Sequence, residues 1–82
     1  MTDKPIQTFV VAGRHAQYQL YRAEKKLDWR YCAYVRDENI LKGLRGYPFN
    51  LVFTGDWWTH PRIDLICDEL RFLGRGDEIP ER

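Results

Sequence analysis

Ile6-Gln7-Thr8-Phe9-Val10-Val11-Ala12-Gly13 is the stretch that decides the fold. Residues 6–12 read as a strand, and Phe9 to Ala12 are continuously apolar rather than alternating, as expected of a strand covered on both faces. Gly13 stops it. The apolar spacing then lengthens: Ala16, Leu20, Ala23 and Leu27 fall at intervals of four, three and four, which predicts a helix over 15–27 with one narrow apolar stripe. Tyr18 and Tyr21 flank that stripe, Arg22, Glu24, Lys25 and Lys26 make the wet face, and Asp28 ends the pattern. On the other side of the strand, the leader Met1-Thr2-Asp3-Lys4-Pro5 is polar and lacks the apolar centre of a signal peptide.

Further along, residues 30–35 predict a second strand, again mostly apolar. Asp37 can cap a short helix over 38–43, with Ile40, Leu41 and Leu44 available for burial. Gly46-Tyr47-Pro48 is a turn, and Leu51-Val52-Phe53 is a third strand, stopped by Thr54-Gly55-Asp56. In the last helix Thr59 or His60 can act as the cap and Pro61 suits the first turn. Ile63, Ile66, Cys67, Leu70 and Leu73 share one face, and Gly74 is placed to end the helix in a left-handed conformation. The polar tail over 75–82 is expected to fray. Apolar strands alternating with helices imply an α/β fold: a small three-stranded parallel sheet in the order 2-1-3, helices on both faces, a Rossmann-like half of a doubly wound architecture. Its sheet edges are nearly unprotected, which favours a dimer through an edge or a helix face.

Composition agrees with one folded domain. The chain has 82 residues, 44% of them hydrophobic and 30% charged, which excludes a disordered segment and leaves no room for a second core. Three Trp, five Tyr and four Phe compensate for the small size, because large rings bury more area per ordered residue. The net charge of +1 conceals an asymmetry. Residues 1–46 hold nine Lys and Arg against five Asp and Glu, a balance of +4, whereas residues 47–82 hold four against seven, a balance of −3. Such a division is either ordinary surface composition, or a basis for self-association through unlike surfaces, or a basic face for a polyanion. Cys32 and Cys67 lie far apart among apolar residues and read as buried free thiols in a reducing cytoplasm. No run approaches the roughly 18 apolar residues of a membrane span, so no membrane partner is expected.

In such a sheet a ligand binds beyond the carboxyl ends of the strands. That rim would gather Gly13, Arg14 and His15 after the first strand, Arg36 and Asp37 after the second, and Thr54 to His60, with Asp56, Trp57 and Trp58 among them, after the third. Strand ends need turn residues and polar side chains in any case, so the concentration alone does not make a site. Gly13 and Arg14 precede a helix, whose free amides favour an anion, yet only the first glycine of a dinucleotide fingerprint is present and there is no P-loop. His15 and His60 with Asp37 or Asp56 could form an acid–base pair, or simply a solvated first-turn residue and a helix cap. The chain has no serine, and Cys32, buried in a central apolar run, is a poor nucleophile. No metal site and no cofactor is expected. Trp57-Trp58 admits two readings. Either both rings seal the core, or one packs over the sheet end while the other, beside His60 and Arg62, stacks on a base or anchors a protein.

Phe9-Val10-Val11-Ala12-Gly13, Gly43-Leu44-Arg45-Gly46 and Phe53-Thr54-Gly55-Asp56-Trp57-Trp58, taken as a set, resemble a loose group of short proteins encoded by tailed bacteriophages. In that group a Val-Ala-Gly strand end is followed by a Leu-Arg-Gly turn and a Gly-Thr-Trp-like loop. The resemblance spans most of residues 8–72 and departs where Asp56 stands between Gly55 and Trp57. It implies a phage gene product in the bacterial host cytoplasm and supplies no catalytic residues. The expectation is a non-enzymatic interaction module that binds a host or phage protein or a nucleic acid and can form a homo-oligomer. The alternative is a nucleotide- or nucleoside-binding domain, or an enzyme, using the rim.

Overall fold

The structure, a computed structural model, describes residues 8–44 and 46–81. Three strands, β1 (Thr8–Val11), β2 (Cys32–Tyr34) and β3 (Asn50–Phe53), form one parallel sheet in the order β2-β1-β3. Two ten-residue helices, α1 (His15–Glu24) and α2 (Ile63–Phe72), accompany it, with short 3-10 turns at Trp29–Tyr31, Glu38–Leu41, Trp57–Thr59 and Gly76–Glu78. The expected order 2-1-3 is therefore the observed one. Register places Phe9 between Ala33 and Leu51, and Val10 between Tyr34 and Val52. Residue 6 and residue 7 of the expected first strand lie outside the described residues, as do the leader, Arg45 and Arg82.

Successive β1 side chains point to opposite faces, so the continuous apolar run feeds two cores. Phe9 and Val11 join Val35, Leu41, Phe49, Trp57, Ile66 and Leu70 in the larger one, beneath α2 and the 3-10 turn at Glu38–Leu41. Val10 joins Tyr18 and Cys32 in the smaller one, beneath α1. Helices thus lie on both faces, as expected.

α2 follows its sequence pattern. Ile66, Cys67 and Leu70 are buried and Ile63 and Leu73 pack at the margin. Gly74, at φ +80°, closes the helix: its amide donates to the Arg71 carbonyl at 3.0 Å, and the Arg75 amide donates to the Leu70 carbonyl at 2.8 Å. This pair of bonds is a Schellman motif, and the left-handed residue at its centre favours glycine.

α1 departs from its pattern. The stripe of Ala16, Leu20 and Ala23 faces solvent, with Leu20 61% exposed, and the buried residue is Tyr18, with Tyr21 beside it. At 3.6 residues per turn Tyr18 lies about 160° around the helix from Leu20, so the face is reversed rather than shifted. Two properties of tyrosine account for this. Its ring covers more of a small sheet face than leucine does, and its hydroxyl can reach a strand carbonyl. The Tyr18 hydroxyl donates to the Cys32 carbonyl at 3.0 Å, inside the smaller core. α1 also stops before 27. Lys26, at φ 55°, takes the left-handed position, the Lys26 amide donating to Ala23 and the Leu27 amide to Arg22. Both helices therefore end in the same motif, one on glycine and the other on lysine.

Three boundaries also differ from expectation. The second strand begins at Cys32 rather than at residue 30, because Asp28 accepts the Arg30 amide and guanidinium and starts a 3-10 turn. Asp37 does cap the next element, accepting the Asn39 amide at 3.0 Å, but that element is a 3-10 turn ending at Leu41. The tail does not hang loose from Arg75. Arg75 donates to the Phe49 carbonyl at 2.8 Å, lies over the Phe49 ring and pairs with Glu78, while Ile79 packs against the larger core.

Candidate functional site

The carboxyl ends of β1 and β3 lie side by side, and the crevice between them is filled by the chain itself. The Gly13 amide donates to Gln17 Oε1 at 3.1 Å, and the Asp56 amide donates to the same oxygen at 3.2 Å. Two backbone donors that an anion would need are thus already used. A Cβ on Gly13 would stand 2.4 Å from both the Asp56 carbonyl and Thr59 Oγ1, so the loop after β3 rests directly on the backbone here. Thr59 Oγ1 in turn donates to the Asp56 carbonyl at 2.7 Å. Gln17 was not among the expected site residues, although its place is legible: it is the third residue of α1, where a glutamine reaches back to amides preceding the helix.

His60 is 3% exposed and holds two ends of the fold together. Its Nδ1 accepts the Arg62 amide at 3.0 Å, and its Nε2 lies 2.9 Å from the Val35 carbonyl. A backbone amide can only donate and a carbonyl only accept, so the proton sits on Nε2. The ring caps the start of α2 and ties it to the end of β2. His15 is exposed, its ring tilted against Tyr18 at 5.4 Å and edge-on to Tyr34 at 5.2 Å, while His60 faces the Tyr34 ring at 5.8 Å. The histidines flank a tyrosine, then, and the carboxylates are elsewhere: Asp37 caps its turn, and the Asp56 side chain has no partner among the described residues. Arg14 is exposed at the N-cap of α1 without a side-chain cap bond.

Arg62 is committed within the molecule. Its Nε and Nη2 donate to the two Glu38 oxygens at 2.8 and 2.7 Å, a bidentate clamp between the loops after β2 and before α2. The Arg62 guanidinium holds the Glu38 carboxyl well below the usual range, at about 2. Burial pushes the Cys32 thiol up, along with the Tyr18 and Tyr34 hydroxyls. For Cys32 that direction opposes thiolate formation. No group of three or more metal-ligating side chains occurs among the described residues.

The tryptophan pair opens on a different surface. Trp57 is buried in the larger core, with its ring edge-on to Phe53 at 5.1 Å. Trp58 stands perpendicular to it, centroids 5.8 Å apart, and is 40% exposed. One ring is core and the other is available. Trp58 forms one wall of a groove of about 370 Å³ that runs along α2 past Asp64, Cys67, Asp68 and Arg71 to Pro80. Asp68 pairs with Arg71 at 3.0 Å in solvent, and Asp64 has no partner among the described residues.

Of the expected set, the structure brings together Gly13 and Asp56 in the filled crevice, and Trp57, His60 and Arg62 in the support of α2. Trp58 is directed to the α2 groove, whereas Arg14, His15 and Asp37 stand apart at the rim. No described helix is long and apolar enough to cross a membrane. No family model matches the chain, and neither does any curated protein or solved structure. What fold and site define is a small parallel α/β domain whose strand-end crevice is packed by its own loops and which carries a groove along one helix.

Proposed function

We propose that the protein is a non-enzymatic interaction module of phage type, acting in the bacterial cytoplasm and holding a partner protein in the groove beside Trp58. The observation that carries this reading is the split tryptophan pair. Trp57 is fixed in the core and presents Trp58 rigidly at a concave wall, the arrangement in which tryptophan contributes most to binding. A protein is favoured over a nucleic acid because the segment that borders the groove is acidic. Residues 62–81 carry six Asp and Glu against three Arg, and a phosphate backbone is repelled by such a surface. Nucleotide binding at the rim has less to support it, since Gln17 already occupies the Gly13 and Asp56 amides.

Thermal unfolding in millimolar nucleotides and nucleosides, together with copurification by wild type and Trp58→Ala, tests the reading. It expects an unchanged melting temperature and a partner retained by wild type but lost by a folded Trp58→Ala. A nucleotide that raises the melting temperature while Trp58→Ala retains every partner would overturn it.

A further inference from the structure

The two helix-covered faces of the sheet carry opposite charge. Residues 14–30, which form α1 and its connection to β2, hold five Lys and Arg against two Asp and Glu, a balance of +3. Residues 62–81, which form α2 and the tail, have a balance of −3, and the connection over 36–44 on the same face is neutral. α1 packs on the Val10 side of the sheet and α2 on the Phe9 and Val11 side, so the division seen in the sequence separates opposite sides of the molecule.

Each side also presents apolar area. Trp29, at the end of the cationic segment, is 67% exposed, the most of any large hydrophobic residue described, and Leu20 is exposed on α1 itself. Facing the other way, the Trp58 groove has the volume for an indole and is bordered by Asp64, Asp68 and Arg71, a balance of −1 in which Arg71 pairs with Asp68. A third observation concerns Lys26. It holds a left-handed conformation that a glycine would adopt without strain, which keeps a cation beside Lys25 at a conformational cost.

We propose that the protein associates head to tail with copies of itself, the cationic end of α1 and Trp29 of one copy entering the acidic Trp58 groove of the next. This rests on the interaction-module reading and names its partner as a second copy of the chain. Complementary charge on opposite faces makes the contact heterologous, so it repeats into a ring or an open filament rather than closing as a twofold dimer.

Sedimentation velocity decides it. At about 10 mM salt the wild type is expected at two or more times its monomer mass of 9.9 kDa, returning to monomer at about 1 M salt. Asp64→Asn/Asp68→Asn removes the charge of one face and Lys25→Gln/Lys26→Gln that of the other, and each variant alone is expected to be monomeric. Their equimolar mixture is expected to form a 1:1 complex that grows no further, because each contributes one intact face. Lys26→Gly serves as a variant that folds at least as well as wild type; it is expected to raise the melting temperature and weaken association. A wild type that stays monomeric at low salt, or variants that associate as wild type does, overturns the proposal. If the wild type is monomeric yet captures a partner that Trp58→Ala loses, self-association fails and the module reading stands.

Discussion

α1 and α2 cover the same three strands by different means. α2 lays an aliphatic face of Ile66, Cys67 and Leu70 on the larger core and ends on Gly74. α1 turns Leu20 outward, packs Tyr18 and Tyr21 inward, and ends on Lys26. The difference teaches that burial on a narrow sheet is decided by what a side chain can reach as much as by hydrophobicity. A tyrosine serves the smaller face because its ring spans the strands and its hydroxyl satisfies a carbonyl there, as Tyr18 does for Cys32. Tyr34 does the same from β2, donating to the Ala12 carbonyl at 3.2 Å.

The largest effect that separates the two sides is truncation beneath α2. Leu70→Ala empties space in the larger core and is expected to cost about 2–5 kcal/mol in urea unfolding. A loss below about 1 kcal/mol would show that α2 is loosely packed. On the other side, Tyr18→Phe retains the ring and removes its hydrogen bond, with an expected cost of about 1 kcal/mol. No change would mean that the ring alone seats α1. Lys26→Gly reverses the sign: relief of the left-handed strain is expected to gain roughly 0.5 kcal/mol, whereas Gly74→Lys at the matching position of α2 should lose a similar amount.

Acid titration examines the clamp that steadies the loop before α2. Glu38 has its carboxyl lowered from 4.5 to about 2 by Arg62. The folded group is the stronger acid, so its contribution is whole above the unfolded value and is lost as pH falls through about 2. Between those values wild type should lose stability more steeply than Glu38→Gln, and identical slopes would mean that the clamp is broken in solution. The smallest effect is expected of Leu20→Ala, within about 0.5 kcal/mol of wild type because the side chain is in solvent. A loss near that of Leu70→Ala would restore the aliphatic stripe of α1 to the core.

Much of the fold was legible in the sequence. The continuous run at β1 announces two covered faces, and the spacing from Ile63 to Leu73 with Gly74 announces α2 and its end, because these signals are local. The face of α1 was not legible. Leucine outranks tyrosine in hydrophobicity, and nothing near Tyr18 reveals that the Cys32 carbonyl awaits its hydroxyl. Nor was the end of α1, since a lysine in the left-handed region carries no signal like glycine's. At the candidate site, the sequence identified Trp57-Trp58 and the rim residues. It did not reveal that Gln17 joins Gly13 to Asp56, or that His60 reaches Val35 and Arg62 reaches Glu38. These contacts span 39, 25 and 24 positions of sequence and exist only once the strands are paired.

One measurement tests most directly whether contact is made on the helix faces rather than at the strand ends. It is a two-dimensional amide and indole NMR spectrum at low salt, recorded over a dilution series and again with millimolar nucleotide. Concentration is expected to move the indole signals of Trp29 and Trp58 and to leave that of Trp57 in place, while nucleotide moves nothing. Shifts of the Gly13 and Asp56 amides with nucleotide, alongside Trp29 and Trp58 signals that ignore concentration, would contradict it.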